Sequence, residues 1–215
     1  MQEGEMKVAI IGSGNVGSAV AKAAKATGNE VTVADLEGTE TLETLRAELG
    51  VSTTNSNQDA VEEADIVVLA VPFGVVESVA KGIAGQVGNK TVIDITNPLK
   101  DDLSGLQTDG TSGAELVQMQ LPEAKVIKAF NTVFAGNQAV AAVNGVQLDG
   151  FVAGDDVDAK KQVIHLLEEV GYRPIDVGPL SNARYLEGMA FLNISLNAKN
   201  NWSWQSGWKL VGPLN

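Results

Sequence analysis

Short runs dominated by Val, Ile, Leu and Ala alternate with amphipathic segments through the first half of the chain. The apolar runs contain few polar residues, as in parallel strands covered on both faces of a sheet. The segments between them repeat apolar residues at helical spacing, which predicts helices. The predicted strands cover residues 8–11, 31–34, 51–53, 66–71, 91–95 and 126–129. The predicted helices cover residues 16–27, 41–49, 75–83 and 114–119, with a helical turn from Ser56 or Asn57 to Val61.

The second half begins with a polar loop at residues 101–113 and has a less regular pattern. It predicts strands at 150–153 and 173–176, a helix at 157–170, and a last helix from Ser181 or Asn182 to about Lys199. Alternation of strands and helices is typical of α/β proteins. We therefore expect a Rossmann-like, doubly wound parallel sheet with a small C-terminal α/β annex that ends in a helix.

The first predicted strand leads directly into a Gly-x-Gly-x-x-Gly sequence formed by Gly12, Gly14 and Gly17. In a mononucleotide-binding βαβ unit, the first glycine permits the turn and the second lets a pyrophosphate approach. The third lets the helix pack on the strand. Asp35 ends the second predicted strand, where a carboxylate can bind ribose hydroxyls. A glycine-rich turn without a nucleotide is the alternative, and the whole arrangement disfavours it.

Ligands of doubly wound sheets bind at the carboxyl ends of the strands. At these ends the chain has apolar residues suited to flank a flat ring, and amide and hydroxyl groups suited to bind its polar edge. The candidate cofactor-binding residues are Gly12, Ser13, Gly14, Asn15, Val16, Gly17, Asp35, Leu36, Val71, Pro72, Phe73, Asn97, Pro98, Leu99, Asn131 and Thr132. We expect residues 6–135 to bind the dinucleotide and residues 136–215 to complete the substrate cleft.

Composition narrows the choice of partner. The chain has 215 residues, 44% of them hydrophobic, and a net charge of −12. This acidity argues against nucleic acid and anionic membranes, which require a basic surface. The chain has no Cys, which excludes disulfides and thiolate metal sites and suits the cytoplasm. No His or carboxylate spacing suggests a metal site, and no apolar run reaches the roughly 20 residues of a membrane span.

The common catalytic side chains of oxidoreductases are missing. The single histidine, His165, is predicted on the polar face of a helix, where we interpret it as a solvated surface residue. Neither tyrosine has a lysine four residues later, so a Tyr-x-x-x-Lys acid is absent. Hydride transfer between two redox rings requires mainly stacking and exclusion of water, with the chemistry supplied by the cofactors. We therefore expect cofactor-binding residues and no protein acid or base.

The chain resembles the NAD(P)H oxidoreductases that use the deazaflavin coenzyme F420. The motifs that carry this resemblance are the loop at 12–17, Ala70-Val71-Pro72-Phe73, Lys128-Ala129-Phe130-Asn131-Thr132, Gly154-Asp155-Asp156, and the segment 176–184. The resemblance implies that residues 12–16, 71–73 and 131–132 contact the dinucleotide. It also implies that a deazaflavin or flavin-like acceptor stacks in the cleft beside the C-terminal part.

One departure from the family concerns the choice of dinucleotide. The members specific for NADP carry a small polar residue and an Arg after the second strand. This chain has Asp35 and Leu36 there, and a carboxylate repels a 2′-phosphate. The residues therefore favour NAD, whereas the resemblance implies NADP. Whether Thr39 or the loop before it contributes to binding a 2′-phosphate stays open.

Two further questions concern the partners and the class of function. Trp202, Trp204 and Trp208 suit either a cover over a flat substrate or a contact with a second subunit, and we favour a homodimer.

A non-catalytic NAD(P)(H)-binding redox sensor is an alternative function. A small hydroxyacid, imine or ketopantoate dehydrogenase is less favoured, because such enzymes generally add a large helical domain and a catalytic Lys or acid.

Overall fold

A computed structural model describes residues 5–37 and 39–212, apart from the side chain of Thr39. Its strands are β1 (Lys7–Ile11), β2 (Glu30–Ala34), β3 (Ser52–Thr54), β4 (Ile66–Leu69), β5 (Thr91–Asp94), β6 (Lys125–Lys128), β7 (Ala142–Val143), β8 (Val146–Gln147), β9 (Asp149–Gly154) and β10 (Arg173–Asp176). Its α-helices are α1 (Asn15–Ala26), α2 (Thr39–Leu49), α3 (Asn57–Glu62), α4 (Phe73–Val87), α5 (Gly113–Gln120), α6 (Val157–Val170) and α7 (Ala183–Asn200). Two short 3₁₀ helices cover Ala135–Asn137 and Leu180–Asn182.

Eight strands form one sheet in the order β10-β9-β6-β5-β4-β1-β2-β3. From β3 to β6 this is the order 3-2-1-4-5-6 of Rossmann dinucleotide-binding folds, and every neighbouring pair in that part is parallel. The expected α/β class is therefore confirmed. The chain changes direction along the sheet between β1 and β4, which is where such folds bind their ligands.

The C-terminal strands depart from the all-parallel expectation. Strand β9 pairs antiparallel with β6, and β10 pairs parallel with β9, so both run against the other strands of the sheet. The expected C-terminal annex thus extends the same sheet. The reason is the route between β6 and β9, which contains no long crossover helix. Only such a crossover returns a strand in the parallel direction.

Alternate residues of each strand face opposite sides of the sheet, and an apolar layer lies on each side. Val8 and Ile10 of β1 belong to the layer covered by α1, α2 and α6. Ala9 and Ile11 belong to the layer covered by α3, α4 and α5. Because both faces are covered, the central strands carry apolar residues at successive positions, as the sequence pattern indicates.

The β7–β8 hairpin was not among the expected elements. Asn144 and Gly145 form its turn, both with positive φ angles, +50° and +78°. An Asn-Gly pair is the preferred turn of two-residue hairpins because it adopts this conformation at little cost. The pair is therefore the signal by which the sequence could have revealed this hairpin.

Helix α4 is longer at both ends than expected. It starts directly after Pro72, whose fixed φ of −56° suits the start of a helix. It continues to Val87 despite Gly82 and Gly85, since Val76, Ala80, Ile83 and Val87 form a continuous buried face. Packing of that face outweighs the cost of two helical glycines.

After α7 the chain returns along the C-terminal part of the molecule as an irregular segment, residues 201–210, which we call the C-terminal strap. The Asn137 side chain donates to the Gln205 carbonyl at 2.9 Å, and the Ser206 hydroxyl donates to the Asn193 side chain at 2.6 Å. Trp208 packs against a small apolar cluster that includes Phe151. The strap is thus joined to both α7 and the 3₁₀ helix after β6.

Candidate dinucleotide and substrate site

The glycine loop lies between β1 and α1, and its glycines have different structural roles. Gly12 has a φ of +109°, and a Cβ there would overlap the Ala70 carbonyl oxygen. A Cβ on Gly17 would overlap the Gly12 carbonyl oxygen. Gly14 has an ordinary φ of −64°, and a Cβ there would meet no atom within 4 Å. The protein's own packing therefore requires the first and third glycines but not the second.

Helix α1 begins at this loop with features that suit an anion. Its N-cap, Gly14, supplies no side chain to the helix end, and the first turn contains no acidic residue. The first N–H groups of a helix have no partner within it, and they lie at the positive end of the helix dipole. A pyrophosphate approaching Gly14 would therefore meet backbone donors and no Cβ.

Asp35 extends from the end of β2 to the same loop. Its Oδ2 atom accepts hydrogen bonds from the Ser13 N–H at 2.9 Å and from the Ser13 hydroxyl at 2.6 Å. Its Oδ1 atom accepts from the Glu37 N–H at 3.1 Å. Asp35 therefore holds the glycine loop in place, a role that the sequence pattern did not indicate.

A first cavity of about 480 Å³ lies over the ends of β1, β2 and β4. Its lining residues are Ile11, Gly12, Gly14, Ala34, Asp35, Leu36, Glu37, Asn57, Ala70, Val71, Pro72, Val75, Ser78 and Val79. The Oδ1 atom of Asn57 is buried and has no hydrogen-bond partner among the described residues. This buried acceptor beside apolar side chains suits the polar edge of a purine or a ribose hydroxyl.

A second cavity of about 130 Å³ lies at the ends of β5 and β6, on the other side of α1. Its lining residues are Val16, Ile95, Asn97, Phe130, Asn131, Thr132, Val133, Phe134, Ala135, Ala190, Asn193 and Ile194. Val16, in the first turn of α1, separates it from the glycine loop. Within the described residues, no titratable side chain lines this cavity.

Two amides form the polar centre of the second cavity. The Asn131 side chain donates to Asn97 Oδ1 at 2.9 Å, and the Asn97 side chain donates to the Asn131 carbonyl at 3.0 Å. The Asn131 Oδ1 atom is buried, with no partner in the described part of the chain. A buried amide oxygen without a partner costs free energy. A ligand N–H that reached it would remove that cost.

A tight turn holds Asn131 in place. Phe130 has a positive φ of +61°, and the Asn131 N–H donates to the Ala129 carbonyl at 2.8 Å, as in a γ-turn. This conformation is rare and strained for a residue with a side chain. The buried Gln138 side chain stabilises it by donating to the Phe130 and Val133 carbonyls, both at 3.0 Å.

A buried ionic cluster lies behind the second cavity. The Lys128 ammonium contacts Asp94 Oδ2 and Glu187 Oε1, both at 2.8 Å, and donates to the Thr96 carbonyl at 2.5 Å. Burial alone would lower the pKa of Lys128, but the two carboxylates outweigh it and raise this pKa. Burial also raises the pKa of Glu187, and Lys128 only partly opposes that effect. The cluster joins β5, β6 and α7 beneath the site.

The structure brings most of the expected residues to the two cavities. The first cavity contains Gly12, Gly14, Asp35, Leu36, Val71 and Pro72, and the second contains Val16, Asn97, Asn131 and Thr132. Ser13 lies behind the loop on Asp35, Gly17 packs on Gly12, and Asn15 is exposed at the start of α1.

The remaining expected residues line neither cavity. A Cβ on Gly113 would come within 2.9 Å of the Phe73 ring, which therefore packs at the start of α5. Pro98 is buried, and Leu99 forms a backbone bridge with Leu106. The position of these three residues after predicted strands indicated a place in the site. Beyond Asn97, however, the chain leads away from the second cavity.

The sequence interpretation missed the walls formed by helices. For Asn57 the sequence predicts only a place at the start of a helical turn, which Ser56 caps by accepting from the Asp59 N–H at 3.2 Å. Ala190, Asn193 and Ile194 of α7 line the second cavity. The signal that could have revealed α7 is Asn193 together with Asn197, since both are amides that continue the helical spacing of the apolar Leu186 and Ala190.

Other chemistry finds little support. His165 is half-buried on α6, 3.5 Å from Glu169, so it is less solvated than expected. It lines neither cavity. Among the described residues, no cluster of His, Cys, Asp or Glu could hold a metal ion. In the same part of the chain, no helix is both long and apolar enough to span a bilayer.

Comparison with known proteins assigns this architecture to a family. Residues 7–98, from β1 to just beyond β5, match the family described as NADP oxidoreductase coenzyme F420-dependent. The chain is 30% identical over 213 residues to an F420-dependent NADP reductase of Methanothermobacter marburgensis, which covers 91% of this chain and 94% of that protein. It is 38% identical over 152 residues to the F420-dependent NADP reductase of Methanocaldococcus jannaschii, covering 66% of each chain.

The fold comparison agrees with the sequence comparison. The crystal structure of an Arthrobacter sp. FB24 protein, described as a candidate F420-dependent NADP reductase, superimposes with a TM-score of 0.86 at 27% identity. The match covers 96% of this chain and 100% of that one. The resemblance inferred from the motifs is therefore confirmed, and the chain belongs to the family of coenzyme F420-dependent NADP oxidoreductases.

Proposed function

We propose that the protein transfers a hydride between a nicotinamide dinucleotide and coenzyme F420 or a flavin-like acceptor. Relatives named F420-dependent NADP reductase support this reaction, with NADP and F420 as the pair. The observation that carries the proposal is the second cavity, which lies across Val16 from the glycine loop and contains amides but, among its described lining residues, no titratable side chain. When both cofactors are bound, their rings supply the redox chemistry.

The chain's residues would bind and orient the dinucleotide. The backbone donors of the glycine loop and the start of α1 would hold the pyrophosphate. Asp35 would lie beside the ribose next to the adenine. Asn57 Oδ1 would accept from a donor of the adenosine, and Asn131 Oδ1 from an amide N–H such as that of a carboxamide. Both assignments give a buried acceptor a partner that it otherwise lacks among the described residues.

The apolar side chains of the second cavity would exclude water and hold the two rings in contact. Ile95, Phe130 and Phe134 line it together with Ile194 of α7. Positioning of this kind, rather than proton transfer, is what a ring-to-ring hydride transfer requires from a protein. Residues 6–135 would form the dinucleotide-binding part, and residues 136–215 would complete the acceptor cleft through α7.

We also propose that the protein acts as a homodimer in the cytoplasm. Helix α7 exposes Tyr185, Leu192 and Leu196. Between Arg184 and Lys199 its single charged residue is Glu187, which is buried. In a chain of net charge −12, an apolar face without charge suits contact with a second copy, because it opposes no like charges. The absence of Cys suits a reducing compartment.

A redox sensor is the second candidate, since a second cavity whose described lining has no titratable side chain fits binding without turnover equally well. The test is to mix the full chain with NADPH or NADH and coenzyme F420, and separately with a flavin, while following nicotinamide absorbance. Oxidation of the nicotinamide at a rate proportional to protein concentration is expected. Tight dinucleotide binding without turnover on any acceptor would contradict the enzyme and favour the sensor.

A further inference from the structure

The ribose end of the first cavity is acidic. Asp35 and Glu37 both line it, and Leu36 between them is 63% exposed. Among the described lining residues there is no Lys or Arg. None of the residues outside the described ranges is a Lys or Arg either, and the side chain of Thr39 carries no charge. A group bound here therefore meets two carboxylates and no basic side chain.

The nearby arginine and the acid itself are held in other contacts. Arg46 of α2 donates to the Thr53 hydroxyl in β3. The Asp35 carboxylate receives the Ser13 N–H, the Ser13 hydroxyl and the Glu37 N–H, at 2.6–3.1 Å. A carboxylate held by these donors cannot turn away from an incoming phosphate without releasing the glycine loop.

We infer, on the basis of the proposed function, that this chain selects the dinucleotide with a free 2′-hydroxyl, NAD(H), over the 2′-phosphorylated NADP(H) named for its relatives. A phosphate monoester carries about two negative charges at neutral pH. Sites that bind it supply Arg or Lys, often by a bidentate contact. The residues after β2 fit a ribose and do not fit a 2′-phosphate.

The experiment measures equilibrium binding of NADH and NADPH to the full chain by nicotinamide fluorescence, without an acceptor. The wild type is expected to bind NADH about tenfold more tightly or better, which is the effect of one unscreened like-charge contact. Raising the salt concentration to about 1 M shortens the Debye length to ~3 Å and should reduce this preference.

Two variants separate charge from loop geometry. Asp35→Asn removes the charge but keeps an oxygen that can accept from Ser13. It should therefore reduce the preference for NADH over NADPH while NADH still binds. Leu36→Arg adds a cation at an exposed position and should improve NADPH binding about tenfold. Val146→Arg makes the same change in charge on the β7–β8 hairpin, which lines neither cavity, and should leave both affinities unchanged.

The outcomes distinguish this inference from the proposed function. Equal or tighter binding of NADPH by the wild type, with turnover on F420 intact, would overturn the selection and leave the enzyme proposal standing. An unchanged preference in both Asp35→Asn and Leu36→Arg would also overturn it. Failure to bind either dinucleotide would overturn the selection and the proposed function together.

Discussion

At the scale of single residues, the protein's own packing requires the first and third glycines of the glycine loop but not the second. Gly12 and Gly17 face backbone oxygens of Ala70 and Gly12 that leave no room for a Cβ. Gly14 faces open space and has a backbone conformation that any residue adopts. A reason for glycine at position 14 therefore has to come from outside the chain, and the approach of a pyrophosphate supplies one.

This difference predicts opposite results for two matched substitutions. Gly17→Ala should lower the free energy of unfolding by about 1–3 kcal/mol, because helix α1 must shift away from β1. Gly14→Ala should change it by less than about 0.5 kcal/mol. It should nevertheless weaken dinucleotide binding about tenfold or more, since its methyl group occupies the path of the phosphates. Urea denaturation and fluorescence titration measure the two effects. Normal dinucleotide affinity in Gly14→Ala would place the pyrophosphate elsewhere.

At the scale of elements, the C-terminal strap contacts two residues that line the second cavity. The Trp204 ring contacts the Phe134 ring edge-on, with centroids 5.6 Å apart, and Phe134 lines the cavity. Ser206 binds Asn193 of α7, which lines the cavity from the other side. The strap therefore supports two lining residues of the proposed acceptor site without lining the cavity itself.

We expect Trp204→Ala to raise the KM for the acceptor several-fold while leaving dinucleotide affinity unchanged, because loss of the ring contact frees Phe134. An edge-to-face pair contributes about 0.5–1.5 kcal/mol. Trp202→Ala is the matched control, since Trp202 is 48% exposed against 45% for Trp204 and has no ring contact among the described residues. Steady-state kinetics decides; equal effects of both substitutions would argue against a role for the Phe134 contact.

Strand β9 holds the strap through Asp149, whose carboxylate is fully buried. It accepts from Arg173 at 2.6 and 2.7 Å, from Lys209 at 3.1 Å, and from the Leu210 N–H at 2.6 Å. Burial opposes ionisation, but these donors outweigh it and lower the pKa of Asp149 below its usual value. The ionised form of Asp149 therefore stabilises the fold.

This pKa shift predicts a pH dependence of stability. A lowered pKa contributes stability above the unfolded-state pKa of about 3.9, and the contribution is lost as the pH falls through the folded-state pKa. Asp149→Asn should therefore lower the free energy of unfolding by about 2–4 kcal/mol at pH 7. The difference from wild type should shrink below about pH 4. Asp176→Asn, which breaks a more exposed pair with Lys160, should cost less than about 1 kcal/mol. A constant Asp149→Asn effect from pH 7 to pH 3, measured by urea denaturation, would be inconsistent with this account.

At the scale of the whole molecule, the exposed apolar face of α7 is where we propose that two copies of the chain meet. Leu192→Glu should convert the protein to a monomer, because a carboxylate buried at a contact between copies is not compensated. Val146→Glu is the control: Val146 is 52% exposed against 49% for Leu192, and it lies away from α7 on β8. Sedimentation velocity measures the result. A wild type that remains monomeric at high concentration would refute the dimer.

Sequence reasoning reached the glycine loop and the acid at the end of β2, because both depend on short-range features. A tight turn, a helix start and an acid at a strand end involve neighbouring residues, and each constrains the backbone locally. The antiparallel β9 and the γ-turn at Phe130 escaped it. The direction of β9 depends on its pairing with β6, which the local pattern does not encode, and the positive φ of Phe130 lies at a residue type that gives no local signal for it.

By itself, the sequence determined the α/β class, the glycine loop and the acid at the end of β2. These follow from periodicity and from residues adjacent along the chain. Only the tertiary structure decided that Lys128 meets Glu187, 59 residues away, that α7 closes the second cavity, and that Asp35 holds Ser13. The physical reason is that contact energies depend on distance and burial, and packing sets both only once the whole chain has folded.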